Sequence, residues 1–454
     1  MITNRGTALE QMAAFVAGGT VPSAARDAAA MAVVDTIGVA LAGSIEPAAR
    51  AVRESIALSA DAPCSVWGVS GRAGAADAAL ANGTAAHALD YDDMCFVSLA
   101  HPSAPLVPAI LAAAELAGAS GRAVLDAYVV GFEIQARLGR LMNPRHYERG
   151  WHCTSTLGAI SAAAGASRLL GLDAARTAHA LAIAASSASG LKENFGTMVK
   201  PLHAGLAARG GVLAALLAKG GLTGSAKAFE GPQGFLHAFD SAGVDLAGVT
   251  SDLSTRWEIL DTGITVKLYP SCAGTHPTLD AVLDLRARVG FTAADVVRIE
   301  VAVDRIAPTI LIHDRPATGL EAKFSMPYCV AAAVLHGRVT LETFDDAAVG
   351  DPAVTALLPR ITMHVDPALD NGAPALTQSR VRITLRDGRE VGAAADGARG
   401  YPNLPASDDE LREKFVSSAS RAIPESAAER AWTVLQDVSA MPDLSVLASL
   451  LSAR

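Results

Sequence analysis

Aromatic side chains are scarce in this chain, 5% of 454 residues, although 51% of residues are hydrophobic. The apolar mass is therefore carried by small and aliphatic side chains, which favours closely packed helices over an aromatic-rich β-sandwich. Cysteine is also rare. Cys64, Cys95, Cys153, Cys272 and Cys329 are odd in number, scattered and never spaced CxxC, so neither a disulfide framework nor a structural zinc site is expected. Charged residues make up 18%, the formal net charge is -9, and no long Lys/Arg run occurs, so nucleic acid is not an expected partner. No apolar run reaches ~18 residues without a polar interruption, so no membrane span is expected. The N-terminus has no basic segment followed by a pure apolar one, and a cytoplasmic location is the expectation. GxSxG, GxxxxGK[ST] and a strand-borne GxGxxG are all missing. Their absence argues against a serine-hydrolase elbow, a P-loop and a dinucleotide fold.

What is present is helical periodicity with small residues. Residues 6–58 read as two or three helices, with Asp35 set among apolar neighbours as a packing carboxylate with a local partner. Residues 62–72 read as a short extended excursion. Helices resume from Ala75, then over 105–117 and 123–141, where Glu133 and Arg137 have the i,i+4 spacing of an exposed pair. Further small-residue helices follow to about residue 222. From 262 the texture changes. ITVKLY (264–269), Val296–Val303, Ile361–Val365, and a hairpin of Val381–Leu385 with Glu390–Ala394 around Asp387-Gly388 read as strands. The expected fold is mainly α: a large all-helical domain over 1–261, completed by 401–454, plus a smaller α+β lid domain over 262–400.

Three polar clusters interrupt the helices. The first is His87, Asp90, Asp92, Asp93 and His101, crowded between two apolar helices, where unpaired carboxylates and imidazoles are costly. Histidine beside a carboxylate suits acid–base chemistry, and the same set could instead hold a divalent metal. The second cluster is His152 in a Trp-His-Cys-Thr setting. The third is Lys200 with His203, spaced i,i+3. Lys267 lies in the strand-like segment. Read singly, each is as compatible with a cap, a satisfied core histidine or a solvent-facing cation. Cys272 has no feature in the sequence that marks a lowered pKa.

Six stretches, ANGTAAHALDYDD, AHPSAPLVPAILAAAE, GWHCTSTLGAISAAAGASRLLGL, KPLHAGLAARGGVLAALLA, KLYPSCAGTHPTLDA and TGLEAKFSMPYCVAAA, occur in an order that resembles the MmgE/PrpD family over nearly the whole chain. The resemblance implies a helical domain built from both chain ends, an α+β lid, a site between them, no metal or organic cofactor, and commonly a homodimer. Its decarboxylase branch carries catalytic groups that fall on Asp90, His101, His152, Lys200 and Lys267. His203, Cys272, His276, Met94 and Tyr269 are the expected substrate-contacting residues. There are departures: Met94 stands where that branch has threonine, Cys272 where it has histidine, and His313 is the nearest counterpart of an expected tyrosine.

Taken together, these features lead us to expect a lyase acting on a small di- or tricarboxylic acid by removing a proton next to a carboxylate. A 2-methylcitrate dehydratase-like dehydration comes first. Epimerisation of an amino- or imino-dicarboxylate and cis-aconitate-type decarboxylation are the alternatives. A non-catalytic carboxylate-binding protein, for which Met94 and Cys272 speak, and a helical scaffold are the readings from other classes.

Overall fold

Alanine and glycine let helices meet backbone to backbone, and the first half of the chain is assembled this way. The computed structural model describes residues 6–239, 246–369 and 377–452. The helices are α1 (Ala8–Gly18), α2 (Ser23–Gly43), α3 (Pro47–Ser55), α4 (Ala75–His87), α5 (Ser103–Ala117), α6 (Gly121–Met142), α7 (Arg145–Glu148), α8 (Cys153–Leu169), α9 (Ala174–Ser187) and α10 (Val199–Lys219). The excursion between α3 and α4 is a two-residue ladder, β1 (Cys64–Ser65) against β2 (Arg72–Ala73). Helix α10 lies at the centre and packs on α4, α5, α8 and α9. At its crossing with α4, a Cβ on Gly205 would lie 2.5 Å from the Leu80 carbonyl oxygen. Facing it, a Cβ on Gly83 would lie 3.0 Å from Gly205 Cα. Only glycine allows this approach, and it brings the end of α4 beside the start of α10.

By length and mean hydropathy alone α10 could cross a membrane, because Ala, Leu and Val outweigh Lys200, His203 and Arg209 in the average. Its packing is that of a core helix.

The smaller part is a four-stranded mixed sheet in the order β4 (Ile361–Val365), β3 (Val296–Val303), β5 (Ser379–Leu385), β6 (Glu390–Ala395). β3 and β4 are parallel, and the other two pairings are antiparallel. Helices His276–Val289 and Met326–His336 pack beside it. The fold is thus mainly α with a smaller α+β portion. The expected strand at 264–269 is not in this sheet. Its extended backbone instead pairs with Met94 (Met94 N–H to Thr265 O 2.9 Å, the return bond 2.8 Å) and with the Gly400 carbonyl (2.8 Å). It is a strap between the site loop and the chain's return to the helical part.

That return is made by helix Asp408–Ala419 packing on α2, with Phe415 against Gly38. Asp35 finds its partner here rather than locally. Lys414 Nζ lies 2.6 Å from Asp35 Oδ1, both buried, and also donates to the Tyr91 carbonyl at 2.9 Å. Glu133 and Arg137 are buried rather than exposed. Arg137 holds Glu133 at 3.2 Å and also donates to the Val249 and Arg256 carbonyls, while Glu133 accepts from Ile259 N–H. Helical spacing reports which side chains can meet, not whether water reaches them.

Gly205→Ala should push α4 and α10 apart. The expected loss is about 1–3 kcal/mol, the usual cost of overpacking, read as a lower unfolding midpoint. An unchanged midpoint would mean that the crossing is not tight.

Candidate active site

The loop between α4 and α5 carries the first polar cluster, and its backbone is held in unusual shapes. Asp90 and Leu99 both adopt left-handed φ values, +51° and +47°. Aspartate tolerates this conformation. For leucine it costs roughly 1–2 kcal/mol, a strain typical of functional loops. Side-chain hydrogen bonds pin the loop. Asp93 accepts from Ser103 N–H at 3.2 Å and from the Ser103 hydroxyl, which also meets Tyr128 Oη at 2.6 Å. Burial pushes the Asp93 carboxyl up to about 8, so it is a neutral anchor for the start of α5. His101 N–H donates to Thr154 Oγ1 at 3.0 Å, tying the loop to α8.

Asp90 gathers the lysines. Its Oδ1 lies 2.7 Å from Lys200 Nζ and 3.2 Å from Lys267 Nζ, and its carbonyl accepts from Lys267 at 2.8 Å. Burial opposes its charge, but Lys200 and Lys267 outweigh burial and hold the carboxyl well below its usual range. Lys200, in the first turn of α10, also lies 3.0 Å from His87 Nε2.

From this contact the proton positions follow. An ammonium can only donate, so His87 Nε2 accepts. His87 then carries its proton on Nδ1 and gives it to Asp92 Oδ2 at 2.7 Å. The same Asp92 oxygen lies 3.2 Å from His101 Nδ1. Asp92 resists protonation: against burial, His87 and His101 hold it well below the ordinary range. Asp92 Oδ2 and His101 Nδ1 are within ion-pair reach but do not form a hydrogen bond. A proton kept on His101 Nδ1, facing Asp92, leaves Nε2 as a lone pair 3.6 Å from Asp90 Oδ1. Burial lowers the His101 pKa, keeping the ring neutral.

His152 occupies the N-cap position of α8 without capping it by its side chain. Its N–H donates to the Gly190 carbonyl at 3.0 Å, and its Nδ1 sits 3.1 Å from His203 Nδ1. One of the two rings donates there and the other accepts. Burial keeps both neutral, His203 at about 4.

These groups line one wall of an enclosed cavity of about 70 Å³, with Asp90, His101, His152 and Lys200 all at its surface. Met94 and Cys272 line it too, and burial pushes the Cys272 thiol up to about 11, unsuited to a nucleophilic role. Lys267 lies behind Asp90, fully buried, and His203 behind His152. Three expected substrate contacts are corrected, His203 being the first. Tyr269 donates to Asp280 at 2.5 Å and accepts from Arg399, and His276 lies 3.1 Å from the Ser271 carbonyl. Neither lines the cavity; they brace the start of helix His276–Val289. His313 does not line it either.

The sequence reading passed over Phe195 and Phe324, whose rings flank Lys200 Nζ at 5.3 and 5.2 Å. It also passed over the lid segment at Asp304, Ile306, Ile310 and Leu311. Phe195 lies five residues before Lys200 and Phe324 inside the AKFSMPY stretch, so proximity to motif residues was the available signal.

Ligand atoms of His87, Asp90, Asp92 and His101 lie within 4.8 Å of one another, close enough for a divalent ion. The donor chemistry fits poorly, because Lys200 occupies both His87 Nε2 and Asp90 Oδ1, and an ion there would have to displace an ammonium.

Comparison with known proteins bears on this arrangement. Residues 9–246 match the MmgE/PrpD N-terminal domain, and residues 269–439 match the MmgE/PrpD C-terminal domain. The chain is 30% identical to cis-aconitate decarboxylase of Mus musculus over 436 residues, 92% of this chain and 87% of that protein. It is 30% identical to a cis-aconitate decarboxylase-like protein of Aspergillus oryzae over 448 residues, 93% and 92% of the two chains. It is 28% identical to 2-methylcitrate dehydratase of Cupriavidus necator over 173 residues, 34% of each.

A lowered pKa keeps the neutral form dominant to lower pH. An NMR titration of the His101 ring should therefore give a midpoint below the ordinary ~6.5. A midpoint at or above 7 would contradict the burial described.

Proposed function

The chain belongs to the MmgE/PrpD family, and from that premise we propose that it is a lyase acting on a small di- or tricarboxylic acid by proton transfer next to a carboxylate. The observation that supports this most is that His101 Nε2 lies 3.6 Å from Asp90 Oδ1, which Lys200 Nζ holds at 2.7 Å, with all three residues at the surface of one cavity.

Dehydration uses these groups as follows. The substrate carboxylate sits against Lys200, whose charge stabilises the enediolate that forms as the neighbouring carbon loses its proton. His101 Nε2 takes that proton, and the resulting imidazolium faces Asp90 on one side and Asp92 on the other. The C–H electron pair becomes the C=C bond, and the hydroxyl leaves as water with a proton from His152. For this His152 must enter the step as an imidazolium, which the negative charge of the bound acid favours, with its Nδ1–H donated to His203 Nδ1. Asp92 and His87 are positioning residues that set the His101 tautomer, while Asp90 gathers the lysines and receives the developing cation.

Decarboxylation is the second reading, favoured by the full-length similarity to proteins named cis-aconitate decarboxylase. There the C–CO₂⁻ bond breaks, CO₂ departs, and the same Lys200 charge stabilises the carbanion until one of the two histidines, as an imidazolium, protonates it. Met94 and Cys272, which differ from that branch, are the residues through which we expect specificity to diverge.

His101→Ala and His152→Ala should each lower turnover by ~10²–10⁴-fold. Incubation with 2-methylcitrate, citrate, cis-aconitate and iminodisuccinate in D₂O, followed by NMR, should show elimination, with CO₂ loss marking the second reading. Near wild-type turnover in both variants would remove the assignment. No change in any of the four acids, together with no binding of any di- or tricarboxylate, would remove the function.

A further inference from the structure

The cation and the imidazoles of the cavity come from one side. Asp90, His101, His152 and Lys200 all belong to the helical part, on the α4–α5 loop, α8 and α10. Lys200 is the one lysine or arginine at the cavity surface among the described residues. Lys267 is fully buried behind it, its ammonium spent on Asp90 Oδ1 and the Asp90 carbonyl. Much of the remaining lining is of another kind. Met94 and Leu99 of the site loop and Ile306, Ile310 and Leu311 of the lid are apolar, and the polar side chains there, Tyr147, Cys272 and Thr377, carry no positive charge. The ionised group that the lid contributes is Asp304, whose Oδ1 accepts from the N–H groups of Ile306 and Ala307 at 2.8 and 3.0 Å and so adds negative charge.

A tricarboxylate fits such a cavity badly. Its carboxylates nearest Lys200 would be compensated. A carboxylate reaching the hydrocarbon wall would lose its water and meet no cation, only the Asp304 charge. An alkyl group at that place would gain from leaving water. Size points the same way, since about 70 Å³ leaves little room for an anion to carry water in with it.

We propose that the substrate of this site is a dicarboxylate with its carboxylates grouped at the Lys200 end and an alkyl arm against Met94, Leu99, Ile306, Ile310 and Leu311. This rests on the acid-binding reading above and narrows it. Met94 and Ile310, both partly exposed, are then specificity-determining residues, one from each part of the fold.

The test uses two unreactive acids of nearly equal shape, 2-propylsuccinate and tricarballylate, which differ only in an ethyl group or a carboxylate at the end of one arm. Isothermal titration of the intact protein should give 2-propylsuccinate a Kd at least tenfold lower. Ile310→Lys places a cation on the hydrocarbon wall at a partly exposed position and should reverse the order. Tricarballylate binding as tightly as 2-propylsuccinate, or tighter, in the unmodified protein would overturn the proposal while leaving the acid-binding reading intact. Binding of neither acid would overturn both. An unchanged order of preference in a folded Ile310→Lys variant, checked by circular dichroism, would also overturn it, because the arm would then lie elsewhere.

Discussion

The Lys200 ammonium is the interaction on which the rest of the site depends. It is buried, and a buried cation persists only if its donors are used. Lys200 uses them on Asp90 Oδ1 and His87 Nε2, with the rings of Phe195 and Phe324 on its flanks. Each contact has a consequence. The first, shared with Lys267, keeps Asp90 ionised where burial alone would neutralise it. The second fixes the His87 tautomer and directs its Nδ1–H to Asp92, which lies 3.2 Å from His101 Nδ1. One charge thus sets an anion, orients an imidazole, and remains at the cavity surface.

Holding that charge in place is a packing problem, and the fold solves it with small residues. Gly83 and Gly205 let α4 and α10 touch, so that His87 at the end of one helix reaches Lys200 at the start of the other. The loop that follows is held in a left-handed turn at Asp90, anchored by neutral Asp93 on Ser103, and clamped by Lys414 on the Tyr91 carbonyl. That last contact, with the Lys414–Asp35 pair, carries the C-terminal helices into the support of the site. The strap at 264–269 brings Lys267 in from the lid side.

Much of this was readable in the sequence because it is written in local patterns. Helical spacing with small residues marked α4, α5, α8 and α10, and alternation marked β3 to β6. The clustering of His, Asp and Lys near helix ends marked the residues that the fold brings together at Asp90, His101, His152 and Lys200. What local pattern could not carry was partnership across the chain. Glu133 and Arg137 have an exposed pair's spacing yet are buried, because segments more than a hundred residues later cover them. Asp35 needed Lys414 from the opposite end. Tyr269 and His276 lie in a motif but satisfy their polar atoms on Asp280, Arg399 and Ser271. The division of labour between Asp90 and Asp92 depends on which oxygen faces which nitrogen, and that is set by the αL turn rather than by spacing.

The tautomer of His101 is the most direct test. With ¹⁵N-labelled histidine, NMR of the protein near neutral pH should show His101 protonated at Nδ1 and bare at Nε2, and a Lys200→Met variant should lose this preference as His87 is released. His101 protonated at Nε2 in the unmodified protein, or an Nδ1–H tautomer indifferent to Lys200, would contradict the chain from Lys200 through His87 and Asp92 to the base.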